Sequence, residues 1–150
     1  MIITLSVGFA AMVVCLLVQG VLLFLATRYY IGHLNWVKSS SRTMAMILIT
    51  QVMVMLVLGN LLQGGIWALL FIFLGEFGDF ETAYYYSLVN FSTLGYGDIV
   101  MSDRWRMLGP LQAINGVLMI GVSTASITSV VQDTFERSSL LQGRGQNNDA

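Results

Sequence analysis

Ser92-Thr93-Leu94-Gly95-Tyr96-Gly97-Asp98 places two glycines on either side of one tyrosine, directly after a threonine and a leucine. For successive peptide carbonyls along such a strand to point the same way, left-handed and right-handed dihedrals must alternate. Gly95 and Gly97 are the residues that reach positive φ at little steric cost. In that conformation the carbonyls of Thr93, Leu94, Gly95 and Tyr96, with the Thr93 hydroxyl, form a stack of oxygen ligands. Such a stack can replace the hydration shell of a dehydrated cation. One strand supplies only a quarter of each ring. An ordinary turn is the competing reading, because Gly and Asp are common turn formers. The context argues against it: an aromatic amphipathic segment precedes the string and long apolar stretches flank it.

Composition agrees with a membrane setting. The 150 residues are 56% hydrophobic and only 10% charged, against about 25% charged in an average soluble domain. The mean hydropathy of +0.75 points the same way. One cysteine, Cys15, and one histidine, His33, allow neither an intrachain disulfide nor a convincing metal cluster. No basic, aromatic-rich segment suggests a nucleic acid partner.

The string Thr93 to Asp98 resembles the signature of the potassium channel family, in particular the prokaryotic pore-loop type. The resemblance covers about residues 43–135. Leu94 stands where many members carry Val, a position that contributes its carbonyl. Tyr96 stands where nonselective relatives carry Asp, which implies potassium selectivity. Transporters and two-pore-domain channels that resemble this signature carry several pore loops in one chain. This sequence holds one copy, so the expected assembly is a fourfold homotetramer. Potassium ions at Thr93, Leu94, Gly95 and Tyr96, with Gly97 completing the filter, are the expected permeant ligand, and no cofactor is expected.

The expected fold is an all-α membrane protein with three transmembrane helices, a re-entrant pore helix and a selectivity filter. Ile2 to Thr27 is apolar and uncharged; as a helix it spans about 39 Å against a hydrocarbon core of about 30 Å. Residues 1–28 therefore read as an N-terminal spanning helix added to a two-helix pore. No basic segment precedes it, which argues against a signal peptide. Residues 29–42 read as a polar cytoplasmic connector. Residues 43–74 form one long tilted outer helix, with Gln51, Asn60 and Gln63 as hydrogen-bonding groups between helices. Asp79 is placed to cap a short pore helix over 80–92. The filter occupies 93–98, and an inner helix runs over 105–133 with Ser102 or Asp103 as cap and Pro110 in its tolerant first turns. Residues 136–150 are polar and expected to be disordered.

Charge orients this order. Arg28 ends the first helix, Lys38 and Arg42 fall in the connector, and Arg137 and Arg144 fall in the tail. Glu76, Asp79, Glu81, Asp98 and Asp103 cluster around the filter, against Arg104 and Arg106. The positive-inside rule makes the connector and C-terminus cytoplasmic and turns the filter and N-terminus outward, in a multi-pass protein of the cell membrane. Acidic groups at an outer mouth also raise the local cation concentration.

Support for the filter falls to the pore helix. The resemblance implies an aromatic cuff, and Tyr84, Tyr85 and Tyr86 stand where it begins. A hydroxyl from Tyr85 or Tyr86 is expected to bond Asp98; the alternative is an interfacial aromatic belt. Val89 occupies a position where some relatives carry a buried Glu, and the carboxylate on which their filter gating depends is missing here. In the inner helix Gly116, Ile120, Thr124 and Thr128 recur every four residues and define one ridge, expected to face a central cavity. Gly116 or Gly121 resembles the family's gating hinge; close packing is the other reading for small residues in membrane helices. The first helix has no charge that could sense voltage, and its role is open. The remaining alternatives are a weakly selective or nonconducting regulatory subunit and a membrane enzyme. The second lacks paired intramembrane carboxylates, a Cys-His pair or a ligand cluster.

Overall fold

The computed structural model describes the backbone of residues 1–39 and 42–148, and the side chains of 1–33 and 43–136. Among the described residues all regular structure is helical: α1 (Ile2–Ser39), α2 (Arg42–Phe73), α3 (Phe80–Phe91) and α4 (Leu108–Asn148). Three apolar segments, Ile2–His33, Thr43–Phe73 and Leu108–Glu136, are long enough to cross a membrane. The 12 residues of α3 rise only about 18 Å, too little to cross. Large apolar side chains such as Phe9, Leu17, Phe24, Leu58, Leu69 and Phe73 lie exposed on the outer faces of the long helices. Water would penalise that surface, whereas a lipid or protein neighbour would not.

The chain divides into two compact units, Met1–Val21 with Leu58–Gly121, and Leu22–Val57 with Val122–Ala150. The first holds α3 and the string of residues 92–98. Its core joins Cys15 of α1, Trp67 and Phe71 of α2, Tyr86 and Phe91 of α3, and Leu108 and Met119 of α4. Thr4 Oγ1 donates to the Arg104 carbonyl at 3.3 Å, so the N-terminal end of α1 lies beside the loop that follows residue 98. Gly8 permits this approach, since a Cβ there would meet Leu111 Cδ1 at 2.5 Å. The second unit has a core of Ala26, Tyr30, Leu48, Val52 and Leu56. Tyr30 Oη donates to Asp133 Oδ2 at 2.8 Å, and Tyr29 Oη donates to Gln51 Oε1 at 2.7 Å.

Three boundaries differ from the sequence reading. The polar connector expected over 29–42 is helical through Ser39; Ser40 and Ser41 lie outside the described residues. The tail expected to be disordered over 136–150 is helical to Asn148. Both differences have one cause. Adding a residue to an existing helix gains a hydrogen bond without the nucleation cost, and neither segment contains a proline to stop it. The inner helix begins at Leu108 rather than Trp105, after a tight stretch in which Trp105 N and Arg106 N both donate to the Ser102 carbonyl. Pro110, third in α4, sits where the N–H it lacks would have no helical acceptor.

Candidate ion-conducting site

The site starts at Asp79. Its extended backbone (φ −138°, ψ 156°) opens α3, and its Oδ1 accepts the Thr82 N–H at 2.8 Å. The Thr82 amide and hydroxyl hold this carboxyl below the ordinary aspartate range, as expected for a carboxylate that caps a helix.

Packing fixes the rest of α3. Ser87 Oγ donates to the Gly64 carbonyl at 2.6 Å, and Leu88 lies over Gly64, where a Cβ would meet its Cδ2 at 2.8 Å. The Tyr86 ring meets Phe71 edge-on at 5.5 Å and Phe77 at 5.1 Å. Tyr84 stacks on Phe80 at 5.5 Å and donates to the Leu61 carbonyl at 3.2 Å. The far end of α3 rests against α4 at Gly116: a Cβ there would lie 1.9 Å from the Phe91 carbonyl oxygen.

Thr93, Gly95 and Gly97 all adopt positive φ, at 62°, 56° and 75°. The two glycines do so as their lack of a Cβ allows; Thr93 does so despite its β-branched side chain, a conformation that costs energy. Leu94 N and Gly95 N both donate to the Val89 carbonyl, at 2.9 and 3.3 Å. Val89 thus serves the string through its backbone. Among the described residues, no hydrogen bond reaches the carbonyls of Thr93 to Gly97. Residues 92–98 are exposed.

Tyr85 Oη donates to Asp98 Oδ2 at 2.7 Å, closing the string onto α3. Of the two tyrosines considered for this bond, Tyr86 turns the other way, its hydroxyl 3.0 Å from the position of a Cβ on Gly109. The Asp98 carboxylate raises the Tyr85 phenol above its ordinary value. The bond is intact below the ordinary tyrosine value of about 10 and is lost only as pH rises through the higher folded value. Tyr85→Phe is expected to lower the potassium-to-sodium permeability ratio several-fold in reversal-potential measurements and to abolish its decline at strongly alkaline pH. Tyr86→Phe should leave the ratio unchanged. An unaltered ratio in Tyr85→Phe would remove the clamp from the account.

A second clamp escaped the sequence reading. Glu76 Oε2 accepts the Ser102 N–H at 2.8 Å and Oε1 accepts the Ser102 hydroxyl at 2.6 Å. Ser102 is therefore committed to Glu76 and does not cap α4, while Asp103 pairs with Arg106 at 3.0 Å. Four of the five acids expected to form an outer acidic rim thus also hold the loops. Glu76→Gln keeps one acceptor and weakens a charge-assisted pair; it is expected to speed proteolytic cleavage of the 99–107 loop, read by limited proteolysis.

The ridge residues fall in different settings. Gly116 is buried against Phe91, whereas Ile120, Gly121, Thr124 and Thr128 are exposed. A Cβ on Gly121 would meet nothing within 4 Å. Thr128 Oγ1 donates back to the Thr124 carbonyl at 3.0 Å. Among the described residues no group of three His, Cys, Asp or Glu could hold a metal ion.

The structure thus combines three membrane-length helices, a short helix that cannot cross and an exposed loop with left-handed residues at 93, 95 and 97. The family model described as "Ion channel" matches residues 54–133, more than half of the chain, and the chain belongs to this ion channel family. The family is one of channels rather than enzymes. The chain is also 40% identical over 83 residues to "TWiK family of potassium channels protein 18" of Caenorhabditis elegans, a match covering 52% of this chain and 17% of that protein. The chain therefore spans less than a fifth of that relative's length. No solved structure matches the chain significantly.

Proposed function

We propose that the chain is the subunit of a potassium-selective channel, four copies of which bring their Thr93–Gly97 strings together around one axis. The observation that carries this reading is the alternation of left-handed residues at 93, 95 and 97. With the Leu94 and Gly95 amides turned back onto Val89, the carbonyls are left for a ligand that the single chain does not supply. Rings of such carbonyls replace the hydration of a permeant ion. Backbone of this kind at membrane depth needs cover by protein or water, which three further copies provide. Tyr96 and the likeness to a protein named as a potassium channel favour potassium over other cations. The carboxyl end of α3, the negative end of its macrodipole, favours a cation next to the filter. The filter and N-terminus face outward and the C-terminus faces the cytoplasm.

The test is flux through liposomes containing the purified chain. Potassium should leave down its gradient, barium should block it, and the reversal potential should follow potassium. A reversal potential indifferent to potassium, or no flux from a crosslinked tetramer, would replace this reading by that of a weakly selective or regulatory subunit.

A further inference from the structure

Behind the pore helix, α1, α2 and α4 each bury a pair of polar side chains about one turn apart: Cys15 and Gln19, Gln63 and Trp67, Gln112 and Asn115. These pairs face one another. Gln63 Nε2 donates to Gln19 Oε1 at 2.6 Å, and Cys15 lies beside both Asn115 and Trp67. Gln112 Nε2 donates to the Ser87 carbonyl at 3.1 Å and to Ser87 Oγ, and Ser87 in turn donates to the Gly64 carbonyl. The set therefore runs from α1 across α2 and α4 to the pore helix. Gln63, Trp67, Gln112 and Asn115 have no exposed surface.

Five atoms in this set have no oxygen or nitrogen partner in the protein: Gln63 Oε1, Gln112 Oε1, Asn115 Oδ1, Trp67 Nε1 and Asn115 Nδ2; toward Trp67 and Asn115 the Cys15 thiol offers only a weak sulfur contact. Buried polar groups are nearly always hydrogen-bonded, and in a membrane no bulk solvent can reach them. Three are acceptors and two are donors. An anion needs donors only and a cation acceptors only, so neither suits a mixed set. Turning an amide over exchanges one kind for the other and leaves the set mixed. A water molecule both donates and accepts, and makes about three bonds when buried; about two waters would serve five atoms.

We propose that Cys15, Gln63, Trp67, Gln112 and Asn115 enclose a buried hydration site, a small fixed water cluster that joins α1 to the pore helix through Gln112 and Ser87. The added first helix thereby acquires a structural role, because its polar pair completes the shell that holds α3.

The test uses the full chain in lipid nanodiscs and X-ray radiolysis, which makes hydroxyl radicals from water bound in place. Trp67 has no exposed surface and Trp105 is 7% exposed. The proposal expects Trp67 to be oxidised at least as fast as Trp105; a slower rate at Trp67, the order that exposure alone dictates, would overturn it. Asn115→Leu supplies a second readout. If the site is hydrated, the substitution strands the remaining groups, lowers Tm and slows Trp67 oxidation several-fold. If the site is dry, it removes two unpartnered atoms and leaves Tm equal or higher, which overturns the proposal. Should Asn115→Leu fail to assemble, the wild-type ratio of Trp67 to Trp105 oxidation decides.

Discussion

Gly116→Ala is expected to destabilise the protein and stop conduction together. The added Cβ would stand 1.9 Å from the Phe91 carbonyl oxygen, 2.7 Å from its carbon and 3.0 Å from Cα. All three are backbone atoms, and no rotamer relieves the clash. Either α4 moves away from the end of α3 by more than an ångström, or α3 moves and carries Ser92 and Thr93 with it. Overpacking a tight contact costs about 1–3 kcal/mol and occasionally more, and backbone against backbone belongs at the upper end. Thermal unfolding in detergent should show a clear fall in Tm, with potassium flux reduced to background. Gly121→Ala is the control: its Cβ meets nothing within 4 Å, and helix propensity favours Ala over Gly by up to about 1 kcal/mol. A loss of channel opening at unchanged Tm in Gly121→Ala would assign the hinge to Gly121. Wild-type Tm in Gly116→Ala would contradict the contact on which the account rests.

Gly116 shows where sequence reading stops. A ridge of Gly116, Ile120, Thr124 and Thr128 follows from helical spacing alone, yet spacing does not say what lies opposite. Hinge and packing are equally open in the sequence, and the close placement of Phe91 against the glycine is visible only in the structure. The same limit applies to Glu76. Its place in an acidic turn is visible, but its partner Ser102 is 26 residues away, and no local rule joins the two. Ser87 and Gln112, polar residues inside apolar helices, do carry a usable signal, since such groups bond between membrane helices. What is legible is local and strongly constrained: the Asp79 cap, the extent of α3, the positive φ of Gly95 and Gly97, and three apolar spans. The ends of α1 and α4 are not, because polar composition reports solvent contact and a helix in solvent keeps its own backbone bonded.

Gly95→Ala is expected to do the opposite of Gly116→Ala, ending conduction while leaving the fold nearly intact. Gly95 is exposed and a Cβ there meets no atom within 4 Å, so no packing is disturbed. The whole effect lies in the dihedral. At φ 56° an L-residue with a Cβ is disfavoured by about 1–2 kcal/mol, and return to negative φ rotates the adjoining peptides. That rotation withdraws the Gly95 N–H from the Val89 carbonyl and turns a carbonyl out of the row. In the proposed tetramer the fault is repeated four times around one ring, so a modest strain per chain disrupts a whole ion site. Potassium flux should fall to background while Tm changes little. Gly78→Ala, also in open space but without positive φ, should behave as wild type in both measurements. Potassium flux at the wild-type rate in Gly95→Ala would show that the carbonyl row of residues 93–97 is not the conducting path, however well the tetramer forms.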